Sequence, residues 1–207
     1  ERALELSDLL TYGSPAVIRD IMLFGKTPED AAASPMVQFL GDCFGQSMDM
    51  VAAELGFNID ADPVALHEVA VATAPIESPI GVIEPGLVAA QRFTWQHRVA
   101  GVPVITVRVN WFMGEENLDA GWNFGAGGER FEVEVTGDPT SAVTFHGWHP
   151  ESIAAGLERN PGIVATANHG VSAIPYVCRA EPGIKTYLDL PLIAGRAAPQ
   201  LSIMNQE

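Results

Sequence analysis

The chain has 207 residues, of which 47% are hydrophobic and 18% charged, a balance that excludes a disordered polypeptide. At that length a folded chain buries roughly 70% of its unfolded surface, enough for a core of its own. Acidic residues outnumber basic ones 26 to 11, for a formal charge of -15. A surface of that sign repels phosphate backbones and anionic lipid, which argues against nucleic acid and membranes as partners.

The first third reads as helical. Ser14-Pro15 is an N-cap followed by proline at the first helical position, and Gly25 closes that segment. Thr27-Pro28-Glu29-Asp30 repeats the start signal, with Asp30 three residues after the cap. The spacing predicts a longer helix from Pro35 to Leu55, stopped by Gly56, whose apolar stripe is Val37, Leu40, Phe44, Met48, Val51 and Leu55. The middle third alternates instead. A strand is expected in Val64–Thr73. Leu87–Val99 places Leu87, Ala89, Phe93, Trp95 and Val99 on one face and Arg92, Thr94, Gln96 and Arg98 on the other. Ala100-Gly101 makes a tight turn, and Val102–Met113 returns with Arg108 and Asn110 on the polar side. Phe131–Val135 and Ala142–Trp148 add two short strands.

A helix is expected from His149 to Asn160 and another from Gly162 to Ala180, in which Pro175 removes a backbone donor and is expected to kink the axis. From Pro182 to Leu192 the chain reads as extended. Helices, then sheet, then helices without βαβ alternation predict an α+β domain. Its sheet is mostly antiparallel, with at least four strands and helices packed on one face.

Chemistry-bearing patterns are sparse. Cys43 and Cys178 sit among apolar residues and are expected to be buried free thiols. The five histidines, His67, His97, His146, His149 and His169, form no metal-binding spacing, so no metal is expected. Gly125-Ala126-Gly127-Gly128 is followed by a strand rather than a helix, and so reads as a hairpin loop rather than a phosphate cradle. Glu115-Glu116 reads as a solvated loop tip. His67 near a strand start is most simply a structural histidine, whereas Asn168-His169-Gly170, one turn before Pro175, places polar side chains where a ligand can meet them. Trp122, beside the loop after Met113, is a pocket-wall candidate. No apolar run is long enough for a membrane span and no signal peptide opens the chain. Glu1, without Met, reads as a processing site, a disordered boundary or the edge of an expressed piece, and the expected compartment is the cytoplasm.

Two stretches carry a family resemblance. Thr166 through Pro191, with Val171-Ser172-Ala173-Ile174-Pro175, Pro182-Gly183-Ile184 and Asp189-Leu190-Pro191, resembles the C-terminal signature T-A-x-x-x-V-N-A-I-P-x-V-x-x-A-x-P-G-I-x-T-x-x-D-L-P. That signature belongs to the 2,4-diaminopentanoate dehydrogenase and native amine dehydrogenase family, which is similar to dihydrodipicolinate reductases. Glu5–Ser14 resembles the family's E-x-x-D-L-x-x-Y-x-S, and Phe44-Gly45-Gln46-Ser47 with Leu55-Gly56 fits its central helix.

The resemblance implies that residues 1–207 are the C-terminal substrate-binding and dimerisation domain of a two-domain dehydrogenase. The Rossmann domain that holds NAD or NADP, and with it the family's acidic catalytic residue, lies outside this sequence, so the catalytic residues are unknown here. Asn168, His169 and Ser172 are then expected on the cofactor side, and Phe44, Met48, His67 and Trp122 on the substrate side. The implied substrate is a small amine or ketone. A homodimer is expected through the sheet, with Arg92, Arg98, Arg108 and Asn110 as one candidate contact face. Ser172 departs from the family, which has asparagine there; asparagine offers donors and an acceptor where serine offers one shorter hydroxyl. That departure leaves open a non-catalytic binding or assembly module, and a stand-alone ligand-binding protein is the third alternative.

Overall fold

The computed structural model describes residues 2–5, 14–124, 130–146 and 161–193, and divides into two compact units, Glu1–Asn160 and Pro161–Glu207. The first unit opens with β1 (Arg2–Glu5), where the sequence predicts helix; four residues are too few for a period to register. A π-helical turn at Val17–Ile21 follows, then α1 (Pro28–Ala32), whose N-cap Thr27 accepts from the Asp30 amide at 3.2 Å, as the capping pattern predicts. The helix α2 (Met36–Leu55) ends at Gly56 with φ of 72°, the left-handed geometry glycine adopts most readily.

β2 (Val64–Val71), β3 (Val88–Val99) and β4 (Val102–Phe112) form an antiparallel run of three. β5 (Arg130–Val135) and β6 (Ser141–His146) form a separate antiparallel hairpin. β1 lies between them, parallel to β4 and antiparallel to β5, giving the order β2-β3-β4-β1-β5-β6. The α+β class therefore holds, and four of the five strand pairings are antiparallel, but the one parallel pairing, β1 with β4, divides the strands so that no uninterrupted antiparallel run reaches the expected four.

The turn between β3 and β4 is the predicted one. Ala100 and Gly101 both have positive φ, 50° and 79°, as a two-residue hairpin of matching twist requires. The Asp60 carboxylate accepts from both turn amides, at 3.0 and 2.9 Å.

Side chains alternate between the two faces of the sheet, but burial does not, because β3 is covered on both. On one face, Phe93, Trp95 and Val109 pack against Met48 of α2, with Val37, Leu40 and Phe44 half-buried beside them. Ala89 and Met113 extend that face into a cluster with Ile18, Met22 and Phe24. On the other face, Phe112 stacks on Phe124 at 3.9 Å, with Ala70 and Ala90 beneath. A bulge after Ala70 reverses the register, which is why Ala70 and Ala72 fall in different clusters.

The predicted stripe of α2 needs one correction. Val51 and Leu55 are exposed, and Ala52 is buried instead, because the inner ridge runs in steps of four through Leu40, Phe44, Met48 and Ala52. Its outer counterpart Phe39, Cys43, Ser47, Val51 and Leu55 is exposed throughout. Cys43 lies on that outer ridge and Cys178 just beyond the last helix, so both thiols are exposed rather than buried.

The second unit consists of α3 (Pro161–Val177) and the segment after it. The helix continues through Pro175 and stops at Val177, three residues short of the predicted end. Beyond it the expected extended segment is a turn: Asp189 accepts from the Thr186 amide and hydroxyl, both at 2.8 Å. The helix expected at His149–Asn160 and the Gly125–Gly128 loop lie outside the described residues.

Candidate functional site

His67, Phe44 and Met48 come together on the helix-covered face of the sheet. His67 is half-buried on β2, directly opposite Phe93 in the ladder, and its ring lies flat on the phenyl ring at 4.4 Å with 10° between planes. Phe93 in turn stacks with Trp95 at 6.0 Å, and Phe44 tilts against Trp95 at 5.4 Å. Such ring pairs contribute about 0.5–1.5 kcal/mol each beyond the area they bury. The result is a row of side chains from α2, β2 and β3 in which His67 supplies the polar group.

Two polar residues interrupt the apolar register of β3, at Gln91 and His97. Gln91 is buried; its amide nitrogen donates to the Met22 carbonyl and its oxygen faces His67 Nε2 at 3.0 Å. Burial pushes the His67 pKa below the ordinary 6.5, and the Gln91 contact offsets part of that shift. His97 Nε2 lies 2.8 Å from the Asp49 carboxylate on α2, while its buried Nδ1 finds no partner among the described residues. Neither Gln91, His97, Asp49 nor Asp60 stands out in the sequence as chemistry. The readable signal was a polar residue at an odd position of β3, among Ala89, Phe93 and Trp95.

Trp122 does not join this group. It lies on the opposite face, edge-on to Phe124, with the Arg92 guanidinium 4.3 Å above its ring. Arg92 Nε donates to Asn110 Oδ1 at 2.7 Å across the ladder, and the buried Arg130 donates to Glu132 at 2.8 Å. Asn110 is fully buried. The polar face that the sequence offers for a subunit contact is therefore bonded in part to itself.

In the second unit, Asn168 and His169 are exposed on α3, and Ser172, four residues after Asn168 and so on the same face, is half-buried. The His169 ring contacts Tyr187 at 5.0 Å. Beyond the helix end, a groove of about 360 Å³ is lined by Tyr176, Arg179, Glu181, Lys185 and Asp189 among others. Hydrogen bonds from Thr186 lower the pKa of Asp189, so this carboxylate stays charged. The exposed side chains of Asn168 and His169 offer donors and acceptors of the kind a nicotinamide amide group needs, but no described helix start follows a glycine loop that would cradle a dinucleotide's phosphates.

Among the described residues no three His, Cys, Asp or Glu side chains converge on a common point, and no helix is long and apolar enough to cross a membrane. Glu115 and Glu116 are exposed on a 3-10 turn, as expected for a loop tip.

No protein-family model matches the chain, and no curated protein is similar to it in sequence. Solved structures are similar in fold. An amine dehydrogenase from Mycobacterium smegmatis superposes with a TM-score of 0.59 at 20% identity, over 94% of this chain and 51% of the other. The chain thus spans about half the length of that enzyme. The resemblance carried by Thr166–Pro191 is matched by a fold shared with an amine dehydrogenase across nearly the whole chain.

Proposed function

We propose that this chain is the substrate-binding and dimerisation half of an NAD(P)-dependent oxidoreductase that interconverts small amines and ketones or imines by hydride transfer. The observation that carries the reading is the agreement of two likenesses. The segment Thr166–Pro191 resembles the amine dehydrogenase signature, and nearly the whole chain folds like an amine dehydrogenase at 20% identity.

In this reading the nicotinamide, held mainly by a separate nucleotide-binding domain, supplies the hydride acceptor or donor. The residues of this chain bind and orient. Asn168, His169 and Ser172 offer hydrogen bonds on the cofactor side. Phe44, Met48 and His67 form the substrate side, where apolar walls exclude water and strengthen the polar contacts that remain. Trp122, on the other face of the sheet from them, leaves the substrate group. For the partner we propose a second copy. The hairpin β5–β6 turns Val133, Val135, Val143 and Phe145 to one exposed face, which suits a two-fold contact better than the arginine-bearing face.

The test is cofactor oxidation by the full-length gene product, given NADH or NADPH with a panel of small ketones and ammonia. Turnover is expected. No oxidation across carbonyl, imine and amine substrates refutes the enzyme reading and leaves the assembly module, which Ser172 in the place of asparagine favours.

A further inference from the structure

We infer that Gln91 is a positioning residue that fixes His67 as its Nε2–H tautomer, so that Nδ1 presents a bare lone pair to the N–H of a small ammonium or amine ligand. This rests on the amine-handling reading above and adds the atom, its orienter and the ligand group.

The Met22 backbone carbonyl has only one way to bond. The Met22 carbonyl accepts and never donates, so the amide nitrogen of Gln91 must face it, and Oε1 must face the histidine. An amide oxygen carries no hydrogen. The 3.0 Å contact therefore requires the proton on Nε2, and in a neutral imidazole that leaves Nδ1 unprotonated. Gln91 is 1% exposed, so water does not compete for either end of its amide.

The ring is held as firmly as its proton. Stacking on Phe93 fixes the plane, and the Gln91 contact fixes rotation within it. No described residue bonds Nδ1, and His67 is half-exposed on β2, the edge strand of the sheet. An acceptor in that setting selects for an N–H donor. The ammonium form fits for two further reasons. Burial disfavours a charge on His67, which removes cation-to-cation repulsion, and the chain's charge of -15 raises the local concentration of small cations.

Long-range 1H–15N NMR of the full-length protein at pH 7.5, titrated with isopropylammonium chloride, tests the inference. The expected spectrum has His67 as the Nε2–H tautomer, with its Nδ1 resonance moving saturably as the ammonium is added. Gln91→Met is expected to give mixed tautomers and about tenfold weaker binding, the scale of one lost hydrogen bond. His67→Gln assigns the resonances and should abolish the shift. A wild-type ring protonated on Nδ1 overturns the inference, and that measurement needs no folded variant of Gln91. Saturable ammonium binding that leaves Nδ1 unmoved overturns it as well. A correct tautomer and a moving Nδ1 in a protein that oxidises no cofactor would refute the enzyme reading and leave this one standing.

Discussion

Asp49 on α2 and His97 on β3 meet at 2.8 Å, an exposed carboxylate holding a buried imidazole. The contact ties the helix to the sheet beyond the last apolar layer. Asp49→Ala leaves His97 buried without its bonded partner and is expected to cost about 1 kcal/mol, the low end for an unsatisfied buried group because water can enter from the side Asp49 leaves open. Urea unfolding should show a lower midpoint at unchanged slope, with part of the loss recovered in Asp49→Ala/His97→Leu. A single variant as stable as wild type would show that the tie contributes nothing.

Two glycines of α2 make opposite predictions. A Cβ at Gly41 would lie 2.7 Å from Trp95 Nε1, whose N–H donates to the Val37 carbonyl at 3.1 Å. A Cβ at Gly45 meets nothing within 4 Å. Gly45→Ala should stabilise by about 0.5–1 kcal/mol through helix propensity. Gly41→Ala gains the same propensity but displaces a packed indole and its hydrogen bond, so its thermal midpoint should fall. Equal and positive shifts for both would contradict the close approach.

Ala100 occupies a left-handed conformation that a Cβ disfavours, with Gly101 beside it already free of that cost. Ala100→Asn recreates the preferred Asn-Gly pair and should stabilise by about 1 kcal/mol. Asp60→Ala removes the acceptor of both turn amides and should act in the opposite direction. Denaturant midpoints of the two variants check the pair.

Acidification should weaken the fold through His67. Its folded pKa lies below the unfolded value of about 6.5, so in the window between them the unfolded chain binds more protons. Stability from this group is complete above about pH 6.5 and is lost as pH falls through the folded value. Comparing wild type with His67→Gln from pH 8 to pH 5 should show the variant losing less. A gap between them that does not change with pH would mean that His67 titrates alike in both states.

Legibility in the sequence tracked how local each determinant is. The caps of α1 and α2, the Ala100-Gly101 turn and the alternation of β3 and β4 are set by residues within a few positions of one another, and all appear where the pattern places them. β1 does not, because a four-residue strand inserted between β4 and β5 is defined by its neighbours and not by its own period. The burial of Ala52 in place of Val51 follows from which of two neighbouring ridges of α2 meets the sheet, which no spacing rule carries. The grouping of the candidate side chains is legible in part. Phe44, Met48 and His67 are candidates by sequence and pack on Phe93 and Trp95, whereas Gln91, bonded to the histidine, looks in the sequence like a lapse in an apolar strand.

The bare valine and phenylalanine face of β5–β6 has a practical corollary for handling the protein. Near neutrality, mutual repulsion between molecules each carrying fifteen excess negative charges keeps those surfaces from meeting indiscriminately. Acidification neutralises the carboxylates and leaves the apolar strip unchanged, so chains whose proposed two-fold contact is open should clump at mildly acidic pH through Val133, Val135, Val143 and Phe145, and Val133→Lys should delay it.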